Sequence, residues 1–318
     1  MGNTMRSKQL GMFFAIISAV SWGSYGTFYS LLLEDGVSDL ALVALAPLAL
    51  VVYFGIRVLF KPHVLKEIPL KYYIGMILQG IIIVNGMNFC YSQAYANGMA
   101  VGIVSVVAYL NILVIMIESY FLMKYKFTVA KVFSMILAIL GVAFVLDVFS
   151  GGGGMFTASG LIWTALIPIF YGTNVTMNSY FIVKECDSDA ILFVTQLAAF
   201  LFMIVFQVHP GELIANIGSV VSVNPMSILT LLGFCGIPMI LCYIFMQECL
   251  KRIEPSIFGI SYSLDPVTST ILGVVIFSQS VGVMQLLGIA LILVAVAYIN
   301  FAEGREAKAE AAGDINTQ

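Results

Sequence analysis

Three carboxylates interrupt long apolar runs: Glu118, Glu248 and Asp265. A charge at a bilayer centre costs about 2.5–3.5 kcal/mol on insertion scales, so an acid at such depth is a candidate for proton exchange or for holding a solute. Asp265 is the deepest. It lies ten residues beyond Pro255, about 15 Å along a helix that rises about 1.5 Å per residue. Pro266 follows, removing one backbone donor and freeing the carbonyl of Tyr262. The hydroxyls of Ser261, Ser263, Thr268 and Ser269 crowd the same two turns, and Tyr262, Asp265 and Ser269 recur at helical spacing on one face. The plainer reading is a protonated acid that bonds helices together. Glu118 stands six residues before Lys124 and shares a face with Asn111. It either lines the inner half of a cavity or reaches interfacial water beside a lysine. Glu248, three residues from Lys251, reads as an interfacial acid beside basic neighbours.

Uncharged polar residues form stripes. Asn85, Asn88 and Ser92 recur at three and four residues, as do Tyr171, Asn174 and Asn178, and Trp22, Tyr25 and Tyr29. Such spacing stacks the groups on one helical face. Tyrosine and tryptophan offer an apolar body with a hydrogen-bonding tip, suited to an organic solute. Taken singly, each could equally join two helices by a bond worth about 0.6–2 kcal/mol. The candidate binding set is Trp22, Tyr25, Tyr29, Asn85, Asn88, Asn111, Tyr171, Asn174, Asn178, Tyr262, Asp265 and Ser269, with Asp265 and Glu118 as proton-coupling candidates. Catalysis lacks its parts: the two histidines, His63 and His209, fall in gaps on opposite faces, and the cysteines show no C-x-x-C spacing. No enzyme activity, metal site, cofactor or nucleic-acid partner is expected.

The elements that must position these residues follow from composition. The chain is 61% hydrophobic and 10% charged, with mean hydropathy +1.03, which places it in the lipid bilayer. Ten apolar spans near 10–33, 38–60, 72–95, 99–123, 128–147, 157–183, 189–208, 227–250, 256–279 and 282–301 each reach the roughly 20 residues a crossing needs. They are apolar all round, unlike the alternating strands of a membrane barrel. All fourteen Lys and Arg fall before the first span, in or at the edges of the even-numbered gaps, or in the tail, while the odd-numbered gaps and their edges carry Glu34, Asp35, Asp39, Asp147 and Glu212. Positive loops stay cytoplasmic, so both termini are expected in the cytoplasm, in an inner or plasma membrane.

Gly151 to Gly154 divide the chain into two blocks of five spans, and an odd number per block sets the second upside down relative to the first. Ser24-Tyr25-Gly26-Thr27 pairs with Phe170-Tyr171-Gly172-Thr173, and 100–147 aligns without gaps on 254–301, pairing Leu110-Asn111 with Leu264-Asp265. The expected architecture is an all-α membrane protein of two inverted five-helix repeats, 1–147 and 157–302, joined by an external linker, 148–156, and followed by a disordered cytoplasmic tail, 303–318. Inverted repeats belong to secondary transporters that expose a midplane site alternately to each side. Spans 5 and 10, nearly free of polar groups, are expected to face lipid or a second copy of the chain, so a homodimer through them is one arrangement they permit.

Trp22-Gly23, Tyr91-Ser92-Gln93-Ala94, Leu250-Lys251-Arg252 and above all Ser263-Leu264-Asp265-Pro266 give the chain its resemblance to the drug/metabolite transporter superfamily, in its ten-span EamA-type branch. The resemblance covers about 10–301. It implies a carrier of small metabolites with a central cavity lined by spans 1, 3, 4, 6, 8 and 9. Two family features are absent: Lys124-Tyr125 and Ser278-Gln279 replace the usual Gly-Glu pair, and Asn111-Ile112 stands where the ninth span has Asp265-Pro266. No Lys, Arg or His stands mid-span to offset an anion, which argues against phosphorylated solutes. The expectation is export or exchange of a neutral, zwitterionic or cationic solute (amino acid, amine or drug-like molecule), with proton coupling. Uptake of a neutral solute, or a channel, is the alternative.

Overall fold

Lipid offers the backbone no hydrogen-bonding partner, so an apolar run must satisfy its own amides by becoming a helix. The computed structural model describes residues 2–97, 99, 101–146, 157–278 and 280–313, and these are helices joined by turns. Among them nine helices are long and apolar enough to cross a membrane: Ser7–Glu34, Asp39–Leu59, Leu70–Ala94, Val104–Met123, Ala158–Val183, Ser188–Phe206, Ser227–Leu250, Pro255–Phe277 and Val283–Glu303. A tenth apolar helix, Val129–Val145, holds 17 residues, at the short end of what can span. In chain order these are spans 1–4, 6–10 and 5. Asp147, Gln279 and the expected linker 148–156 lie outside the described residues.

Contacts between spans obey an inverted two-fold. Span 1 packs on span 8 as span 6 packs on span 3, and span 1 on span 9 as span 6 on span 4. Spans 2 and 7, 4 and 9, and 5 and 10 pair across the relation. This is the contact pattern of two five-helix repeats threaded in opposite senses. Spans 5 and 10 approach through Gly141 and Gly288: a Cβ on Gly141 would fall 2.8 Å from the Gly288 carbonyl, so only glycine admits this crossing. Their inner faces are thus taken up by each other, leaving outer residues such as Phe133, Leu140, Leu293 and Phe301 exposed.

Several spans are not simple rods. Span 1 is Gly2–Gly23 and Tyr25–Glu34. Span 4 is Val101–Ala108 and Asn111–Met123, and span 9 is Pro255–Tyr262 and Asp265–Phe277. The breaks in spans 4 and 9, at Tyr109-Leu110 and Ser263-Leu264, fall at equivalent positions of the repeat. So do their left-handed C-caps, Lys124 at φ 64° and Ser278 at φ 52°. Spans 3 and 8 contain π-helical segments, Gln79–Val84 and Cys235–Leu241, a geometry frequent at functional sites.

Charge clamps one face. Lys61 meets Asp187 and Asp189 at 2.7 Å each, Arg57 meets Asp189 at 3.0 Å, and Lys131 pairs with Glu254, all joining first half to second. Asp187 also caps span 7, accepting from the backbone N–H of Asp189 and Ala190. Burial alone would raise its carboxyl, but the Lys61 ammonium and those two amides outweigh it and hold it below the usual range. On the opposite face neutral donors serve: Asn224 and Ser227 reach Asp35 at 3.0 and 2.7 Å, and Ser159 reaches Asn97 at 2.6 Å. Two short helices lie outside the spans, His63–Lys66 and Pro210–Val223. The tail departs from expectation: the tenth helix runs on to Gly313, because 305–312 is rich in Ala, Glu, Lys and Arg, strong helix formers with no breaker among them.

Candidate functional site

Spans 1, 3, 6, 8 and 9 converge on a chamber lined by Trp22, Met87, Tyr171, Asn174, Val175, Cys242, Tyr243, Met246, Phe258 and Tyr262. Half of the lining residues are aromatic, because the inward stripe of span 1 meets those of spans 6 and 9. Tyr262 is central, with ring centroids 6.5 Å from Trp22, 6.5 Å from Tyr171 and 5.0 Å from Phe258. Trp22 stacks on Tyr25 at 5.1 Å and Tyr25 on Tyr29 at 5.4 Å, so an aromatic ladder leads from the chamber toward the acidic face. It ends where the Tyr29 hydroxyl donates to Asp39. The free room at the chamber's centre is about 20 Å³, enough for one water-sized body and no organic solute. In this conformation the chamber is too narrow for a solute, which must part the rings to enter.

Beneath the rings runs a ladder of buried amides. Gln79 Nε2 donates to Asn174 Oδ1 at 2.8 Å, Asn178 Nδ2 donates to the Asn174 carbonyl at 2.7 Å, and Gln247 Nε2 donates to Asn178 Oδ1 at 3.1 Å. The ladder fixes Asn174 from below while the side chain lines the chamber. It ties span 6 to span 3 of the other half and to span 8 of its own. Ser18 Oγ donates to the Cys242 carbonyl at 3.0 Å, and Cys242 Sγ lies 3.7 Å from the Tyr262 hydroxyl.

Asp265 sits at a helix break, and Glu118 lies two turns from the other. Asp265 opens the second helix of span 9 and accepts a hydrogen bond from Tyr109, which stands in the break of span 4. The two breaks are thereby joined across the repeat axis. Span 1 presses on the same place: a Cβ on Gly23 would lie 2.5 Å from the Asp265 carbonyl, and Ser269 Oγ donates to the Gly23 carbonyl at 2.7 Å. In the other half the matching contact is made by Gly172 of span 6, aligned in sequence with Gly26 rather than Gly23: its Cβ would lie 3.0 Å from the Asn111 carbonyl of span 4. Glu118, two turns along span 4 from Asn111, accepts from Thr173 Oγ1 at 2.6 Å.

The predicted residues therefore separate. Trp22, Tyr171, Asn174 and Tyr262 line the chamber, with Tyr25 stacked on its wall and Asn178 supporting it. Asp265, Asn111 and Glu118 cluster around the breaks beside it. Tyr29 lies up the ladder. Asn85 is turned away, donating to the carbonyls of Gly80 at 3.0 Å and Ala199 of span 7 at 3.3 Å, because the π-helical segment preceding it rotates the helix register. Ser269 is used up on Gly23, since the break at Ser263-Leu264 ends the face it would share with Tyr262. Asn88 is half-buried on span 3. Glu248 is the interfacial acid expected, 2.6 Å from both Lys251 and Arg252. Sequence reasoning missed Met87, Cys242, Tyr243, Met246 and Phe258, apolar enough to pass for ordinary packing. It also missed Gln79, Gln247 and Tyr109. An uncharged amide deep in an apolar run was the available signal for the two glutamines.

No curated protein matches the chain. Among solved structures, one titled "Crystal structure of protein" is similar with a TM-score of 0.70 at 19% identity, over 93% of this chain and 98% of that one, a likeness of fold. The EamA-like transporter family is matched twice, over residues 9–147 and 158–301. The two matches divide the chain where the contacts divide it into inverted halves, and together they cover nearly all of it: this protein is a membrane transporter of the EamA-like family.

Proposed function

We propose that the protein is a secondary carrier that exports or exchanges a small neutral, zwitterionic or cationic organic solute by alternating access, with protons as the coupling ion. The chamber carries this reading. Its walls are five aromatic side chains, the amide of Asn174 and apolar or sulfur-bearing neighbours, with no Lys, Arg or His among them. Such walls suit an apolar or aromatic body and π-faces that tolerate a cation, and they offer nothing to offset a phosphate. A chamber this narrow between two inverted halves suits a carrier that opens by rocking better than a continuously open channel. Rocking one half on the other would open the rings to one face and then the other. The lysine-rich face is taken as cytoplasmic, with both termini there, and the repeats are taken as 1–147 and 157–302. The exposed outer sides of spans 5 and 10 would meet lipid or a second copy.

A thermal-unfolding screen of the purified protein against a metabolite library, at two pH values, tests the reading. A ligand of the folded state stabilises it by mass action, about 2.7 kcal/mol at a hundredfold excess over Kd. Hits should be amines, amino acids or neutral aromatics, should lose their effect in Tyr262→Leu, and should drive counterflow in liposomes. Phosphorylated hits, or flux that never saturates, would contradict it.

A further inference from the structure

We propose that Glu118, with Thr173 and Thr176, forms a proton-binding site of its own, distinct from the aromatic chamber and linked to it through span 6. As a coupling site it rests on the carrier reading above. Glu118 Oε1 accepts from Thr173 Oγ1 at 2.6 Å. Its other oxygen, Oε2, is buried without a hydrogen-bond partner, and so is the hydroxyl of Thr176, which stands beside the same carboxyl. A carboxylate can only accept, whereas a carboxylic acid carries one donor. The Thr176 hydroxyl can donate to the ionised carboxylate or accept from the acid, so the cluster offers Glu118 a partner in either state. What weighs on the charge is its depth in an apolar span with no cation beside it.

The surroundings offer nothing else to answer the charge. The helices packed on Asn111–Met123 are Ala158–Val183 and Pro255–Tyr262. Their titratable groups are Tyr171, Tyr180 and Tyr262, and the helix itself adds Tyr120, so no Lys, Arg, His or second acid faces Glu118 from them. Asp265 differs, because Tyr109 already donates to it. The equivalent of Glu118 in the second repeat is Leu272, so the site exists once. Thr173 and Thr176 ride on the helix whose Tyr171, Asn174 and Val175 line the chamber. Loading Glu118 redirects their hydroxyls and so acts on that wall, which is how a proton and a solute would sense each other.

Infrared difference spectroscopy of the full-length protein, taken from alkaline to mildly acidic pH without any solute, reads the site through the C=O stretch of a solvent-shielded carboxylic acid. The band is expected in the wild type and in Asp265→Asn, absent in Glu118→Gln and displaced but present in Glu118→Asp, each in monodisperse protein. Survival of the band in Glu118→Gln, or its loss in Asp265→Asn, would overturn the proposal. So would a wild-type band that changes when sodium replaces potassium at fixed pH, since the site would then hold a metal cation. The titration needs no transport, so its failure leaves the carrier standing, and a chamber that binds no solute leaves the band in place.

Discussion

Spans 4 and 9 are the same backbone carrying different chemistry. Both break after about two turns, at Tyr109-Leu110 and Ser263-Leu264, and both end in a left-handed cap, at Lys124 and Ser278. Span 9 has Pro266 beside its break; span 4 has Ile112 in the same place and breaks anyway. The proline is therefore not the cause. What the two share is a close neighbour, Gly23 of span 1 against the Asp265 carbonyl and Gly172 of span 6 against that of Asn111. Tertiary packing makes the breaks, and the proline only suits one of them. On this common frame the acids are placed unequally: Asp265 opposite Asn111, Glu118 opposite Leu272. If the carrier reading holds, a symmetric frame would rock between two equivalent states, and a single copy of each acid would give those states different affinities for a proton.

The sharpest way to break the comparison is to fill a glycine. Gly23→Val is expected to cost about 3 kcal/mol of stability, and Gly172→Val nearly as much, both read by thermal unfolding. A large cost at one site alone would mean that the halves are not held by the same device. Next comes the bond between the breaks. Tyr109→Phe should cost about 1–3 kcal/mol, because it leaves a buried carboxyl oxygen of Asp265 without its partner. A double-mutant cycle with Asp265→Asn should show that the two losses do not add.

Smaller still is the clamp on the basic face. The Asp187 carboxyl is held below its ordinary value, so its contribution is full above that value and fades as pH falls through the lowered one. Burial would lower the Lys61 ammonium, but Asp187 and Asp189 outweigh it and raise it. Its share is therefore full below the ordinary lysine value and fades only as pH rises through the raised one. Stability should be flat between these limits, and Lys61→Met should remove under about 1 kcal/mol of acid sensitivity, as befits a partly exposed pair. Smallest is Pro266→Ala, expected within about 0.5 kcal/mol of the wild type, because span 4 keeps its break without a proline. Melting curves with and without the substitution settle that.

Legibility in the sequence followed the helices' own regularity. The charge partition and run lengths carry the spans, because crossing lipid leaves few alternatives to an uninterrupted helix. Polar stripes were readable only where 3.6-residue periodicity holds. Tyr171, Asn174 and Asn178 lie in the continuous helix Ala158–Val183, and the stripe is intact at the chamber. Asn85, Asn88 and Ser92 follow the π-helical turn Gln79–Val84, and there Asn85 is turned toward span 7. Tyr262, Asp265 and Ser269 straddle a break, and each bonds elsewhere. Those irregularities arise from contacts between repeats, which no local window of sequence contains. The apolar walls of the chamber were hidden for another reason: in a chain this apolar, a methionine or phenylalanine lining a cavity looks like one that fills a core.

Cys242 lies in the chamber wall and is buried, so its thiol reports access to the site. With Cys90, Cys186, Cys235 and Cys249 replaced by alanine, a membrane-impermeant thiol reagent should label Cys242 from either side of the membrane, each time more slowly in the presence of a solute found by thermal unfolding. Labelling from one side only, or from neither, would contradict a chamber that two inverted halves open in turn.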